Sequence, residues 1–382
     1  MKDFEINLVQ NIQFGMGSLA KLPEYLETIG SKSVILVSDR GLESIGVVGQ
    51  VEAIITGAGI GYVSYLDVKP NPSVEIVHEA AKVMKESGAT AIIALGGGSP
   101  MDVAKALGVI AKFGGNITEY EGKGKVPGPI APMIAIPTTA GTGSEVTNVA
   151  VITDEARNYK LTVNSPYLAA TYAILDPELI MTSPASVAAA CGVDALIHAI
   201  ESYISRAATP FTELMAEKAM ELIGANIRQF VACRTNEEAA CAMMLGSNLA
   251  GISFARAAVG NVHAMSHPVS AFFHVAHGVA NAVLLPTIME FNALADNGKY
   301  RKIYDYIVEG KKSDDSFVPQ MLVDELRKLN RQLGIPEGLA AVGVTEDKIP
   351  QMAADAIKSA NIAVNPRQST VRDLEALYKK AM

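Results

Sequence analysis

The sequence predicts an α/β protein in two parts: an open, largely parallel sheet in the N-terminal half, then an all-helical C-terminal half. Three observations point that way. Strand-like apolar runs alternate with helical patterns up to about residue 183, the rhythm of βαβ units. Beyond Pro184 the β-rich runs vanish and long amphipathic stretches take over,. A chain of 382 residues exceeds what one ordinary core serves, so two domains are expected, 1–183 and 184–382. The boundary reads as a change of architecture, with no repeat period and no low-complexity tether.

Composition narrows the class of function. The chain is 49% hydrophobic and 19% charged with 32 glycines, as expected of a compact α/β protein. A net charge of -8 and a pI near 5.4 argue against nucleic acid or an anionic membrane as partner. The opening MKDFEINLVQ carries acidic residues and no apolar core, so no signal peptide is expected,. No apolar run is read as long enough for a membrane span. Three cysteines without CxxC spacing point to a reducing cytoplasm and packed thiols. Cys191, three residues before Asp194, reads as a buried helix thiol rather than a ligand.

In order, FEINLVQNIQFG reads as the first strand, a turn carries Gly15 and Gly17, and a helix starts near Ser18. SVILVSD is the second strand, ending on Asp39. A carboxylate there is where a dinucleotide fold grips the adenosine ribose, favouring NAD over NADP. Arg40 beside it works the other way, and a turn-starting aspartate is the plainer alternative. GIGYVSYLDV gives a third strand, followed by a Pro-Asn-Pro turn and a helix from Ser73.

TAIIALGGGSPMDVAKALGVIAK runs a buried strand into Gly96-Gly97-Gly98 and then a helix. Ser99 suits the N-cap, Pro100 the first helical position and Asp102 the capping box. Bare glycine backbone lets a pyrophosphate approach, and N–H groups at a helix start stabilise its charge. The pattern is neither GxGxxG nor a P-loop. After the strand PMIAIP comes a loop with Thr138, Thr139, Thr142 and Ser144, whose hydroxyls suit phosphate or ribose oxygens; a polar surface turn is the alternative. VAVITD and YKLTVNS read as a hairpin-like pair with Lys160 between them. YAILDPELIMTSP gives the last strand, and Ser183-Pro184 start the helices.

In the helical half, TPFTELMAEKAMELIGANIRQFVA and EEAACAMMLGSNLAGISFARAAVG read as long helices with methionines as core filler,. TVRDLEALYKKAM reads as the last helix. The stretch from Gly260 to Gly278 holds four of the six histidines. His263 and His267, four apart, share a helical face. His277 follows His263 by fourteen residues, about 21 Å on an unbroken helix. Both reach one ion only if the helix ends between them, and Pro268 with the apolar VSAFF run is the expected place. Asp194 and His198 are also four apart. A carboxylate and an imidazole on one helix, met by histidines from another segment, is how a helical domain builds a divalent-metal site. A polar core network is the alternative.

Taken together, FGMGSL, GGGSPMDVAK, IPTTAGTGSEVT, DALIHAIESY, VHAMSHP and HGVANAVLLP resemble the iron-dependent (group III) alcohol dehydrogenase family over nearly the whole chain. The resemblance implies a dehydroquinate synthase-like architecture: a dinucleotide-binding α/β domain, an all-helical metal-binding domain and an active site between them. It places the metal ligands on Asp194, His198, His263 and His277, and a non-ligand active-site histidine on His267. It places cofactor contacts on Asp39, Asn71, Gly97, Gly98, Ser99, Asp102, Thr138, Thr139, Thr142 and Lys160. It implies NAD(H) and one divalent ion, Fe²⁺ by habit and Zn²⁺ by affinity, in a self-associating cytoplasmic enzyme, a homodimer or larger.

The implied reaction interconverts a small primary alcohol and its aldehyde, used as an aldehyde reductase on substrates of the lactaldehyde, 3-hydroxypropionaldehyde or sulfoacetaldehyde type. Glycerol dehydrogenase and dehydroquinate synthase are the related alternatives; the Asp-x-x-x-His pair and VHAMSHP fit the alcohol dehydrogenase branch better. Three positions depart from the family pattern. Ala276 stands where a proline is common, His274 where a smaller polar residue is frequent, and Arg256 where an asparagine is typical. Arg256 and His274 are therefore candidates for recognising a polar or anionic substrate.

Overall fold

The computed structural model describes residues 11–157 and 159–382, so residues 4–10 of the expected first strand lie outside the described residues. Two compact units emerge. One comprises the described residues up to Thr139 together with Gly143–Thr182; the other comprises Ala140–Thr142 and Ser183–Met382.

The first unit is built on nine strands: β1 (Asn11–Phe14), β2 (Ser33–Val37), β3 (Gly61–Tyr65), β4 (Ala91–Gly96), β5 (Gly122–Lys123), β6 (Met133–Pro137), β7 (Val149–Asp154), β8 (Tyr159–Asn164) and β9 (Tyr172–Leu175). Six form a sheet in the order β1-β9-β6-β4-β2-β3, with every pairing parallel. Its central strands are continuous apolar runs because both faces are covered. Ile35, Ile92, Ala94 and Ala135 point to one core, and Val34, Leu36, Ile93 and Ile134 to the other. On the first side lie α4 (Val74–Ser87) and α5 (Gly98–Phe113); on the second lie α1 (Leu22–Ile29) and α3 (Val47–Gly57). Short helices α2 (Arg40–Ser44) and α6 (Pro177–Met181) complete this unit. β7 and β8 pair antiparallel, the expected hairpin, and β5 joins them. Lys160 lies inside β8, opposite Thr153, rather than between the strands.

The second unit is helical: α7 (Ala185–Ile204), α8 (Pro210–Ala232), α9 (Glu237–Ala257), α10 (Asn261–Phe273), α11 (His277–Asn292), α12 (Lys299–Ile307), α13 (Pro319–Gln332), α14 (Ile349–Ala356) and α15 (Val371–Lys380). The break between His263 and His277 falls at the end of VSAFF, where His274 takes a left-handed conformation with φ 56°. Pro268 stays inside α10, forgoing one backbone hydrogen bond. Two expectations need correction. α7 and the stretch His277–Ala295 are long and apolar enough to cross a membrane, but 83% and 61% of their apolar windows are buried inside the protein. Of the three cysteines, Cys233 is exposed rather than packed.

Gly96 ends β4 with φ 145°, and a Cβ there would lie 2.6 Å from Pro100 Cγ. Gly96→Ala is therefore expected to cost about 1–3 kcal/mol in denaturant unfolding; unchanged stability would contradict this tight strand-to-helix turn.

Candidate metal centre and nucleotide-binding edge

Asp194, His198 and Glu201 stand at i, i+4 and i+7 of α7 and share one face,. They are 2%, 5% and 2% exposed. α10 presents His263 in its first turn, and α11 begins on His277 and presents Asn281 one turn later. The Nε2 atoms of His198 and His263 lie 2.9 Å apart. One ligand atom each from Asp194, His263 and His277 falls within 4.8 Å of the others; His198 meets that threesome through His263. Phe254 stacks on the His198 ring with centroids 4.3 Å apart.

The proton positions on these rings follow from what stands behind them. His198 Nδ1 lies 3.2 Å from the Gly141 carbonyl oxygen, which only accepts, so Nδ1 donates and Nε2 keeps its lone pair. His263 Nδ1 lies 2.7 Å from Glu201 Oε2. That carboxylate also receives the N–H groups of Val262 and His263, so it accepts from the ring as well. Burial outweighs the pull of the converging N–H groups and raises the Glu201 carboxyl to about 7. Burial, with His198 beside it, lowers His263 to about 3. The His263 ring, held uncharged, thus turns a bare Nε2 toward the Nε2 of His198.

Asn281 sharpens the imbalance. Its Nδ2 has two hydrogens and three acceptors in range: Asp194 Oδ1 at 2.7 Å and the Nε2 atoms of His263 and His277, each at 3.1 Å. Its Oδ1 is buried with no hydrogen-bond partner among the described residues. The cluster therefore holds more lone pairs than hydrogens, which a cation balances. Imidazole and carboxylate donors suit Fe²⁺, Zn²⁺ and Co²⁺, and the Glu201 and Gly141 oxygens hold two rings from behind, as second partners of metal ligands do. Glu201 and Asn281 were not singled out from sequence, although their i+7 and i+4 spacings from Asp194 and His277 were readable. His267, half-buried, has its ring 5.4 Å from that of His277 and 6.4 Å from that of His263.

Arg256 lies in the last turn of α9, where its guanidinium donates to the Ile252 carbonyl at 3.1 Å and burial lowers its pKa. His274 is exposed and ends α10. The His274 N–H donates to the Ser270 carbonyl at 3.1 Å.

The carboxyl ends of β2, β4 and β6, neighbours in the sheet, carry Asp39, Gly97–Ser99 and Thr138–Thr139. The chain leaves β2 for β3 on one side and returns to β4 on the other, and such a reversal is where open α/β sheets take ligands. Asp39 caps α2 by accepting the Leu42 N–H at 3.0 Å. α5 begins at Gly98 with Gly97 as its N-cap and no side-chain cap, so Ser99 and Pro100 lie deeper in the helix than expected. Asp102 forms no capping box: its carboxylate turns to the Ser144 hydroxyl at 3.1 Å and the Val151 N–H at 3.2 Å. Thr138 N–H donates to Gly96 O at 3.1 Å, and a Cβ on Gly97 would sit 3.2 Å from Thr139 Oγ1. The threonine loop is largely buried rather than a surface turn, and Thr142 groups with the helical unit. Asn71, left-handed at φ 54°, accepts from Lys160 Nζ at 2.8 Å. Lys105, unremarked in the sequence, buries its ammonium against Ser144, Thr147 and Val149.

An open parallel sheet with an uncapped glycine turn, followed in the chain by helices that gather three imidazoles and a carboxylate, marks a nucleotide- and metal-using oxidoreductase. The chain belongs to the iron-containing alcohol dehydrogenase family. The family model "Iron-containing alcohol dehydrogenase" matches residues 10–177, and "Fe-containing alcohol dehydrogenase family, C-terminal" matches residues 188–382. The NAD-dependent methanol dehydrogenase of Bacillus methanolicus is 37% identical over 96% of this chain and 97% of its own. The lactaldehyde reductase of Escherichia coli K12 is 38% identical over 96% and 97%. A solved 1,3-propanediol oxidoreductase superposes with a TM-score of 0.94 at 34% identity, covering 100% of both chains.

The His263 ring gives a direct check. Its folded pKa is depressed below the ordinary 6.5, so the unfolded chain takes up a proton that the folded one refuses. This group's contribution to stability is present above about pH 6.5 and is lost as pH falls toward about 3. In ring ¹⁵N NMR of the metal-free protein, His263 is expected to stay uncharged at pH 5; a protonated ring there would contradict the geometry.

Proposed function

We propose that this chain reduces a small aldehyde to its primary alcohol with NADH, and runs the reverse reaction with NAD⁺, at a divalent ion held by Asp194, His198, His263 and His277. The observation that carries this reading is the 2.9 Å approach of two imidazole nitrogens whose other ring nitrogens face acceptors. When bound, the ion supplies Lewis-acid polarisation of the carbonyl and the nicotinamide supplies the hydride. Fe²⁺ accords with the family, and the same donors serve Zn²⁺.

The chain's own residues do the rest. The Gly141 carbonyl and Glu201 fix the tautomers of His198 and His263, so no ring must turn before the substrate oxygen arrives. His267, next to His277, relays the alcohol proton to solvent. Gly97, Gly98 and Ser99 offer the N–H groups of α5 to the pyrophosphate, with Asn71, Asp102, Thr138, Thr139, Thr142 and Lys160 lining the cofactor's path. Asp39 receives the adenosine ribose. Arg40 is held by Glu43 at 2.9 Å and Asp67 at 3.0 Å, which supports NAD over NADP because that cation is already engaged.

Arg256 and His274 select a polar or anionic short aldehyde, of the lactaldehyde, 3-hydroxypropionaldehyde or sulfoacetaldehyde type. The relatives' names, methanol dehydrogenase and lactaldehyde reductase, support small substrates. The acidic chain fits a cytoplasmic, self-associating enzyme with no nucleic-acid or membrane partner.

The test is NADH oxidation by metal-reconstituted protein over a panel of short aldehydes. Turnover that disappears on chelation and returns with Fe²⁺ or Zn²⁺ is expected; undiminished turnover after chelation would overturn the reading. His277→Ala is expected to lower kcat at least about 10³-fold while NADH binding, followed by fluorescence, persists. Arg256→Asn is expected to lower kcat/KM selectively for an anionic aldehyde, and an equal effect on neutral aldehydes would remove Arg256 from substrate selection.

A further inference from the structure

α10 has Gly260 as its N-cap, which offers it no side-chain cap. Two side chains from elsewhere take its first N–H groups. Glu201 accepts from Val262 at 2.8 Å and His263 at 3.4 Å. Asn365, in the segment between α14 and α15, accepts from the Asn261 N–H at 3.1 Å through Oδ1. A Cβ on Gly260 would stand 2.7 Å from Asn365 Oδ1 and 3.0 Å from Glu201 Oε1, so glycine is what lets both acceptors close in.

Asn365 is 1% exposed, and every hydrogen bond its amide can make is made. Nδ2 donates to Asn292 Oδ1 at 2.8 Å and to the Arg367 carbonyl at 2.7 Å. Oδ1 accepts from Asn292 Nδ2 at 3.2 Å as well as from Asn261. Turning the amide over would oppose donor to donor and acceptor to acceptor, so its orientation is fixed. Asn261 Nδ2 adds a bond to Ser369 Oγ at 2.7 Å. Asn292 is the last residue of α11, whose first is His277. A single buried amide is thus tied both to the start of α10, two residues before His263, and to the end of α11.

We infer that Asn365 is a positioning residue for the histidine cluster, setting the register of α10 against α11 and thereby the approach of His263 and His277. This rests on the reading of that cluster as a metal centre. Asn365 touches no ligand atom; it acts through the Asn261 N–H and Asn292. Coupling of this kind is reciprocal. An ion that draws His263 and His277 together also stabilises the contacts of Asn365, so ion binding tightens residues 360–369.

The test is Co²⁺ competition against a chromophoric chelator on the metal-free full chain, with thermal unfolding recorded beside it. Asn365→Ala is expected to weaken Co²⁺ binding by about tenfold or more. Thr209→Ala, which removes the cap of α8, is expected to lower Tm and leave the affinity unchanged. Parent-like affinity in Asn365→Ala would overturn the inference. Should that variant fail to fold, hydrogen exchange of the unsubstituted chain decides. Slower exchange across 360–369 on adding Co²⁺ is expected, and unchanged exchange would overturn it. Failure of the parent chain to bind Co²⁺ at all would instead sink the metal reading, which separates the two failures.

Discussion

A surplus of lone pairs in one buried place is the constraint on which the helical unit depends. Nitrogen from three imidazoles and oxygen from one carboxylate converge there, and the two hydrogens of Asn281 Nδ2 are too few for the acceptors around them. His198 gives its Nδ1 hydrogen to Gly141, and His263 gives its own to Glu201. A buried acceptor left unmet costs about 1–3 kcal/mol, and several of them close together repel besides. Such an arrangement persists because apolar packing of the surrounding helices over-determines it. Residues flanking the cluster, among them Val193, Leu196, Ile197, Val262 and Ala280, are fully buried.

The backbone devices around the cluster serve the same end. α7 delivers three side chains on one face by helical period alone. α10 and α11 deliver theirs from separate helices because the first helix ends at His274, so His277 arrives at a helix start instead of about four turns along the helix that carries His263. Gly141 has no room for a side chain, since a Cβ would stand 2.8 Å from Cys191 Cβ. That close approach is what brings its carbonyl to His198. Gly260 serves similarly at the entry to α10, where Glu201 and Asn365 crowd the backbone.

Much of this was legible in the sequence. Alternating β and α patterns foretold a parallel sheet, and buried strands on both faces produced the unbroken apolar runs read at 91–96 and 133–137. The histidine cluster and its need for a helix break near VSAFF were readable from spacing, although Pro268 does not make the break. Pro268 lacks an N–H and crowds the preceding turn, yet α10 runs through it, whereas the left-handed His274 ends the helix. Asp102 illustrates a different limit: its position fitted a capping box, and tertiary contacts with Ser144 and Val151 took the carboxylate instead. Glu201, Lys105 and Asn365 were missed because their partners lie 39 to 104 residues away, which no local pattern reports.

The central claim, that the four side chains form one cation site with tautomers fixed from behind, is met most directly by anomalous diffraction from crystals grown with Zn²⁺. The account predicts a single peak within roughly 2.0–2.2 Å of a carboxylate oxygen of Asp194 and of Nε2 on His198, His263 and His277, with Glu201 still on the Nδ1 of His263. A peak bound through Nδ1 after ring rotation, or an ion lodged elsewhere while these nitrogens stay bare, would contradict it.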